Sequence, residues 1–196
     1  MEIDLAGDFD FRAPDMGAPL NADLHRELMT GNRTVKGMFF EPLLRAMPER
    51  GGRNQRYVAF RSYPMSDYME LLIDAAKALH PDHPLREALR RVGHLGYPTF
   101  AESLIGRVIM GVLGDDLNAI MARAPRAYSV SIEPGEVRSL QLHNNHWRMA
   151  FIDMPNFVDC YQLGVVEGAI MHCGAEPSVR TCSLALDTAV FDVRWH

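Results

Sequence analysis

Few residues in this chain are of a type and spacing that could do chemistry. His143 and His146 flank Asn144-Asn145, and across a tight hairpin they would be neighbours able to offer two imidazoles to a divalent metal. No third ligand stands near them, so an exposed polar hairpin tip is the competing reading and no metal is expected. His172 and Cys173 could act as base and nucleophile only if their side chains met, yet adjacent helical residues point about 100° apart. Cys173, like Cys160 and Cys182, is expected to pack as a small thiol rather than to react. Glu102, Arg107 and Glu167 lie beside apolar or small residues, where each could orient a ligand in an apolar cavity or simply face water. The chain has no glycine-rich phosphate loop, nucleophile elbow, HExxH or dinucleotide fingerprint. No catalytic residue is assigned, and binding is expected rather than turnover.

Composition narrows the class further. A chain of 196 residues, 47% hydrophobic and 23% charged, has the means to bury one substantial core. A net charge of -5 disfavours a phosphate-coating surface, so no nucleic acid is expected as partner. The three cysteines, too few for a disulfide scaffold, fit a reducing compartment. Glu2, Asp4, Asp8 and Asp10 stand where a secretory signal would need basic residues. The apolar stretch from Leu104 to Leu113 is too short to span a bilayer, which takes about 20 residues. A cytoplasmic protein is expected.

The elements that would position these residues follow from periodicity. Residues 1–22 carry acidic positions, Pro14 and Pro19, and are expected to form a poorly ordered extension, with residues 23–196 a single domain. A helix is predicted from Val35 through VKGMFFEPLLRAM, with Glu49 to Asn54 a polar loop. Tyr68, Leu71, Leu72, Ala75, Ala76 and Leu79 define a second helix, and Leu85, Ala88, Leu89 and Val92 a third. After Tyr97-Pro98, residues Leu104, Ile105, Val108, Ile109, Val112 and Leu113 form a broad apolar face ending at Gly114, and DDLNAIMARA adds a turn or two more.

Beyond Pro125 the period changes to alternation, with Tyr128, Val130 and Ile132 on one side of a strand. Asn144-Asn145 can turn a hairpin that sets Leu142 opposite Trp147 and Leu140 opposite Met149, leaving Gln141, His143, His146 and Arg148 on the other face. Phe157 to Cys173 reads as a helix whose Gly164-x-x-x-Gly168 permits close approach to the sheet or a partner, capped by Gly174. A last hairpin turning at Asp187-Thr188 would set Leu184 opposite Phe191 and Cys182 opposite Val193. The fold class is therefore α+β, with N-terminal helices packed on a C-terminal antiparallel sheet interrupted by a helix.

The ordered blocks TVKGMFFEPLL, RYVAFRSYPMSDYMELLIDAAKALHP, LREALRRVGHLGYPTFAESLIGRVIMGVLG, APRAY and YQLGVVEGAIMHCG resemble a myxobacterial domain family of unknown function, over about Leu24 to Trp195. That family is similar in turn to a superfamily of H-NOX gas sensors, 4-vinyl-reductase ligand domains and TRAPP trafficking subunits. The resemblance implies helices followed by an antiparallel sheet interrupted by a helix. Haem-binding members need an axial histidine and a Tyr-x-Ser-x-Arg motif for the propionates. The stretch DMPNFVDCYQLGVVEG lacks that motif, and His94 is the one axial histidine to consider. Haem is disfavoured, and no cofactor is expected.

The function expected is a non-enzymatic sensory or adaptor domain, binding a small apolar ligand or a protein partner between helices and sheet. Tyr97, Phe100, Arg107, Tyr128 and Tyr161 are the candidate pocket residues, because polar-tipped aromatics both line and orient. A ligand-free homodimeric scaffold is the second reading, and an enzyme using His143, His146, His172 or the cysteines the third.

Overall fold

In the computed structural model, residues 3–29, 31–47, 56–110, 114 and 116–196 are described. The predicted loop at Glu49 to Asn54, and the helical positions Val112 and Leu113, lie outside them. Helix α1 (Ala22–Glu27) is capped by the Asn21 side chain, which accepts from two backbone amides. A short strand β1 (Thr34–Lys36) precedes a 3-10 turn and α2 (Phe40–Ala46), so the helix predicted from Val35 begins at Phe40, with Pro42 tolerated in its first turn. Strand β2 (Ser62–Pro64) leads into α3 (Met65–Leu79), and Pro84 into α4 (Leu85–Gly93). Both bury the predicted stripes: Tyr68, Leu71, Leu72, Ala75 and Ala76 on α3, and Ala88, Leu89 and Val92 on α4.

The next predicted helix is broken in two, α5 (Gly96–Glu102) and α6 (Leu104–Met110). Ser103 separates them: extended in backbone, it accepts from the Gly106 amide through its Oγ at 2.9 Å. The break turns α6 outward, so Leu104 and Val108 stand 58% and 76% exposed instead of lining a core face. Helix α7 (Leu117–Ser129) corrects the reading of its region. It runs through Pro125, so Tyr128 is helical and only β3 (Ile132–Glu133) is extended.

The main sheet is antiparallel, in the order β4 (Glu136–His143), β5 (His146–Ile152), β7 (Thr188–Trp195), β6 (Pro177–Ala185). Asn145 takes φ 58° at the predicted turn, and His143 pairs with His146. Beyond that pair a bulge between Gln141 and His143 shifts the register by one. Met149 therefore faces Ser139, Trp147 faces Gln141, and Leu140 turns to the opposite surface, because a one-residue slip exchanges faces. The second hairpin turns one residue earlier than predicted and carries its own bulge between Ser183 and Ala185. Thr181, not Leu184, faces Phe191, and Cys182 faces Val190.

One face of this sheet, carrying Trp147, Met149, Phe151, Phe191, Val193 and Trp195, is buried in the core shared with the helices. Between β5 and β6 lie a π-helical turn (Val158–Gln162) and α8 (Leu163–His172), capped by Gly174 at φ 78°. The opposite face is covered by part of the N-terminal extension, residues 3–12. Ile3 and Leu5 are buried on Ala150 and Val190, with Phe9 and Phe11 beside them. Arg148 donates to the Leu5 and Gly7 carbonyls, and Arg12 bridges the Thr181 backbone in both directions.

Candidate ligand cavity

Helices α5, α7 and α8 meet the inner face of the sheet without filling the space between them, leaving a cavity of about 80 Å³. Its wall is almost wholly apolar: Phe39, Ile120, Met121 and Met149 contribute alongside small residues such as Ala124 and Ala169. A cavity of about 150 Å³ lined by Leu, Ile and Phe stays dry and accepts benzene. This smaller one suits a molecule of a few heavy atoms.

The polar groups in the wall are phenols, carboxamides and the Ser131 hydroxyl, which donates to the Ala127 carbonyl at 2.7 Å. Tyr68 and Tyr161 join hydroxyl to hydroxyl at 2.7 Å, and Tyr128 donates to Gln162 Oε1 at 2.7 Å. Burial pushes the Tyr161 hydroxyl up to about 12, against the weaker opposing effect of its bond to Tyr68. Burial raises Tyr68 and Tyr128 as well, so all three stay protonated near neutrality. A hydroxyl pair shares one proton in its bond, which leaves the second hydroxyl proton free to point elsewhere.

Among the sequence-derived candidates, Tyr97, Phe100, Tyr128 and Tyr161 line this cavity. Arg107 is exposed on α6 and does not. His94 ends α4 with its Nε2 3.2 Å from Glu167 Oε2, away from the cavity wall. His143 and His146 sit side by side, ring centroids 6.0 Å apart, but His146 is taken by Asp192 at 3.1 Å. Among the described residues no group of three or more His, Cys, Asp or Glu could hold a metal ion. His172 rests its ring on Tyr97 rather than on Cys173, and burial raises the Cys160 thiol. Glu102 is exposed. Tyr68, Asn156 and Gln162 escaped the sequence reading. The helical period of α3 placed Tyr68 on a buried face, but nothing there announced that the face bordered open space.

Glu167 is a buried carboxylate engaged on both oxygens. Arg90 grips both its oxygens at 2.7 Å. Burial would raise its pKa, but the bonds from His94 and Arg90 outweigh burial and hold it below the ordinary value. This cluster locks α8 to α4 beside the cavity.

The chain belongs to the DUF2378 family, proteins of unknown function, whose pattern matches residues 28–196. No curated protein matches it in sequence. Among solved structures, its fold is similar to an H-NOX protein from S. oneidensis in the Fe(II)NO state, at TM-score 0.64 and 17% identity, covering 82% of this chain and 99% of that one. An unliganded Fe(II) H-NOX mutant from K. algicida matches at TM-score 0.61 and 12% identity, covering 82% and 96%. An oxygen-binding H-NOX domain related to soluble guanylate cyclases matches at 0.58 and 14%, covering 81% and 90%. The fold is H-NOX-like.

These matches overturn the expectation that no cofactor is implied and haem is disfavoured, because the neighbours sharing this fold are haem-binding proteins. The cavity wall can be compared with what such a group asks of a protein. Among the described residues it contains no His, Cys, Arg or Lys, so it offers neither an imidazole or thiolate to iron nor a cation to a propionate. Its possible ligands are protonated phenols, the Ser131 hydroxyl, the carboxamides of Asn156 and Gln162 and the thioethers of Met121 and Met149, a donor set that does not fit haem held by histidine. No helix among the described residues is long and apolar enough to cross a membrane.

Proposed function

We propose that this protein is a cytoplasmic sensory domain that takes a small, largely apolar molecule into the space between its helices and its sheet. The observation that carries the reading is the cavity itself, walled by both layers and nearly free of exposed polar atoms. Apolar space of this kind is paid for in lost contacts unless a ligand restores them. The phenols of the wall, held protonated by burial, support a reading of binding rather than turnover.

The response would pass through α5 and α8, which supply Tyr97, Phe100, Val165 and Ala169 to the wall. Helix α8 is fixed to α4, so a ligand that moves one moves both. Helix α5 leads into α6, whose exposed Leu104 and Val108 offer a surface to a protein partner or a second copy. A ligand shifts such an equilibrium only as far as it prefers one packing over the other. Xenon under pressure is the first test, read from the ε-methyl NMR signals of Met121 and Met149. Saturable shifts confined to cavity methyls are expected. Uniform small shifts across all methionines would remove the basis of the proposal.

A further inference from the structure

Two carboxamides are buried in the cavity wall, and they are treated differently. Gln162 Oε1 is occupied by the Tyr128 hydroxyl. Asn156 is fully buried, and neither its Oδ1 nor its Nδ2 has a hydrogen-bond partner among the described residues. Such a group has surrendered its hydration without compensation, which buried carboxamides seldom do.

The backbone that carries it is firmly held. Asp153 and Phe157 bracket the segment at φ 56° and 58°, a conformation strained for non-glycine residues and most of all for an aromatic one. Arg33 pairs with the Asp153 carboxylate at 2.6 Å, the Met154 amide donates to the Asp187 carbonyl at 2.7 Å, and His25 Nδ1 donates to the Pro155 carbonyl at 3.2 Å. The ring of Phe157 lies 4.7 Å from that of His25. Main chain and neighbours are thus pinned while the carboxamide's oxygen and nitrogen, both uncommitted, lie within the wall, where a turn about the soft terminal torsion breaks no bond.

Resting on the cavity reading above, we infer that Asn156 is the recognition residue for a ligand with a small apolar body and one planar amide or neutral carboxylic acid head. A carboxamide presents a donor beside an acceptor, and such a head presents the complement, so the two close a ring of paired hydrogen bonds. The rest of the ligand meets only apolar wall.

Isobutene and acetamide separate the two claims, since they share a shape of four heavy atoms and differ in hydrogen bonding. Each is titrated into the full chain carrying methyl-labelled methionine and 15N-labelled asparagine. Both probes should shift the Met121 and Met149 methyls, while acetamide alone shifts the Asn156 side-chain amide. In Asn156→Leu, acetamide should bind about tenfold more weakly, the worth of one to two net hydrogen bonds, with isobutene binding retained. If isobutene binds but acetamide does not, or acetamide binds without moving the Asn156 amide, the recognition role is wrong and the cavity reading stands. If neither probe moves the methyls, the cavity reading itself fails and takes this inference with it. Should Asn156→Leu not fold, the amide signal of the unaltered chain decides the matter alone.

Discussion

The two sides of α8 are packed to opposite standards. Toward α4, a Cβ added at Gly164 would lie 1.9 Å from the Arg90 carbonyl oxygen, and one at Gly168 would lie 2.6 Å from that of His94. Gly93 answers from α4, where a Cβ would come within 2.2 Å of the Tyr161 carbonyl. Backbones touch there, and Glu167 closes the contact with Arg90 and His94. Away from α4, the same helix lines the open space with Val165, Val166 and Ala169. A helix positioned so closely on one side is not loosely placed on the other. The gap is therefore a property of side-chain choice, and a helix clamped to α4 can pass on whatever fills it.

The tight side should fail first. Gly164→Ala places a methyl inside the Arg90 carbonyl, with backbone rather than a yielding side chain in its way. A loss on the order of 3 kcal/mol or more is expected in denaturant unfolding. An unchanged midpoint would mean that the helices part freely and that the contrast between the two sides is empty.

Glu167→Gln tests the clamp more gently. The carboxyl is buried, but Arg90 keeps partial access to water, so the loss at pH 7 should be about 2 kcal/mol, below that of a fully buried pair. The sign with pH follows from the lowered carboxyl. Its contribution is present above the unfolded value of about 4.3 and is lost as pH falls through the lower folded value. Melting curves from pH 7 downward should show the two proteins converging only below about pH 4.3. Convergence well above that pH would mean that the folded carboxyl is not held below its ordinary value. At the open side, Tyr68→Phe removes one partner of the 2.7 Å hydroxyl pair and should cost about 1 kcal/mol in the same unfolding measurement. A loss as large as that at Gly164 would show the cavity wall to be as unforgiving as the clamp.

The legible part of this molecule was what repeats locally. The stripes of α3 and α4, the Asn145 turn and the need for Gly164 and Gly168 to meet something closely were all readable from spacing. What they meet was not, because the sequence names a small residue without naming its neighbour: the partner is α4, not the sheet. The strand registers failed at two bulges and, in the second hairpin, at a turn one residue early; an extra residue leaves no mark in an alternating pattern yet reverses every face beyond it. Ile3 and Leu5 lie in a stretch without periodicity, and only the sheet's outer face, with Ala150 and Val190, gives them a place to pack. Aromatic residues with polar tips led to most of the cavity tyrosines. Asn156, between Pro155 and Phe157, reads as an ordinary turn residue, and only its burial without a partner sets it apart.

The smallest expected change in stability belongs to Val166→Leu, and it is the most direct test of the contrast across α8. The residue lines the cavity, so the added methylene extends toward open space rather than toward packed atoms. Filling such space restores dispersion contacts, and leucine suits a helix slightly better than valine. The unfolding free energy should move by less than about 1 kcal/mol, in the stabilising direction. Xenon shifts at Met121 and Met149 should shrink in the same variant, because the volume they report is taken. A destabilisation of about 2 kcal/mol would mean that Val166 already fits its surroundings, as overpacking of a full core costs this much. Stability and xenon response must therefore move in opposite directions if the space beside α8 is a binding site, since what strengthens the fold there is the same contact that a ligand would otherwise make.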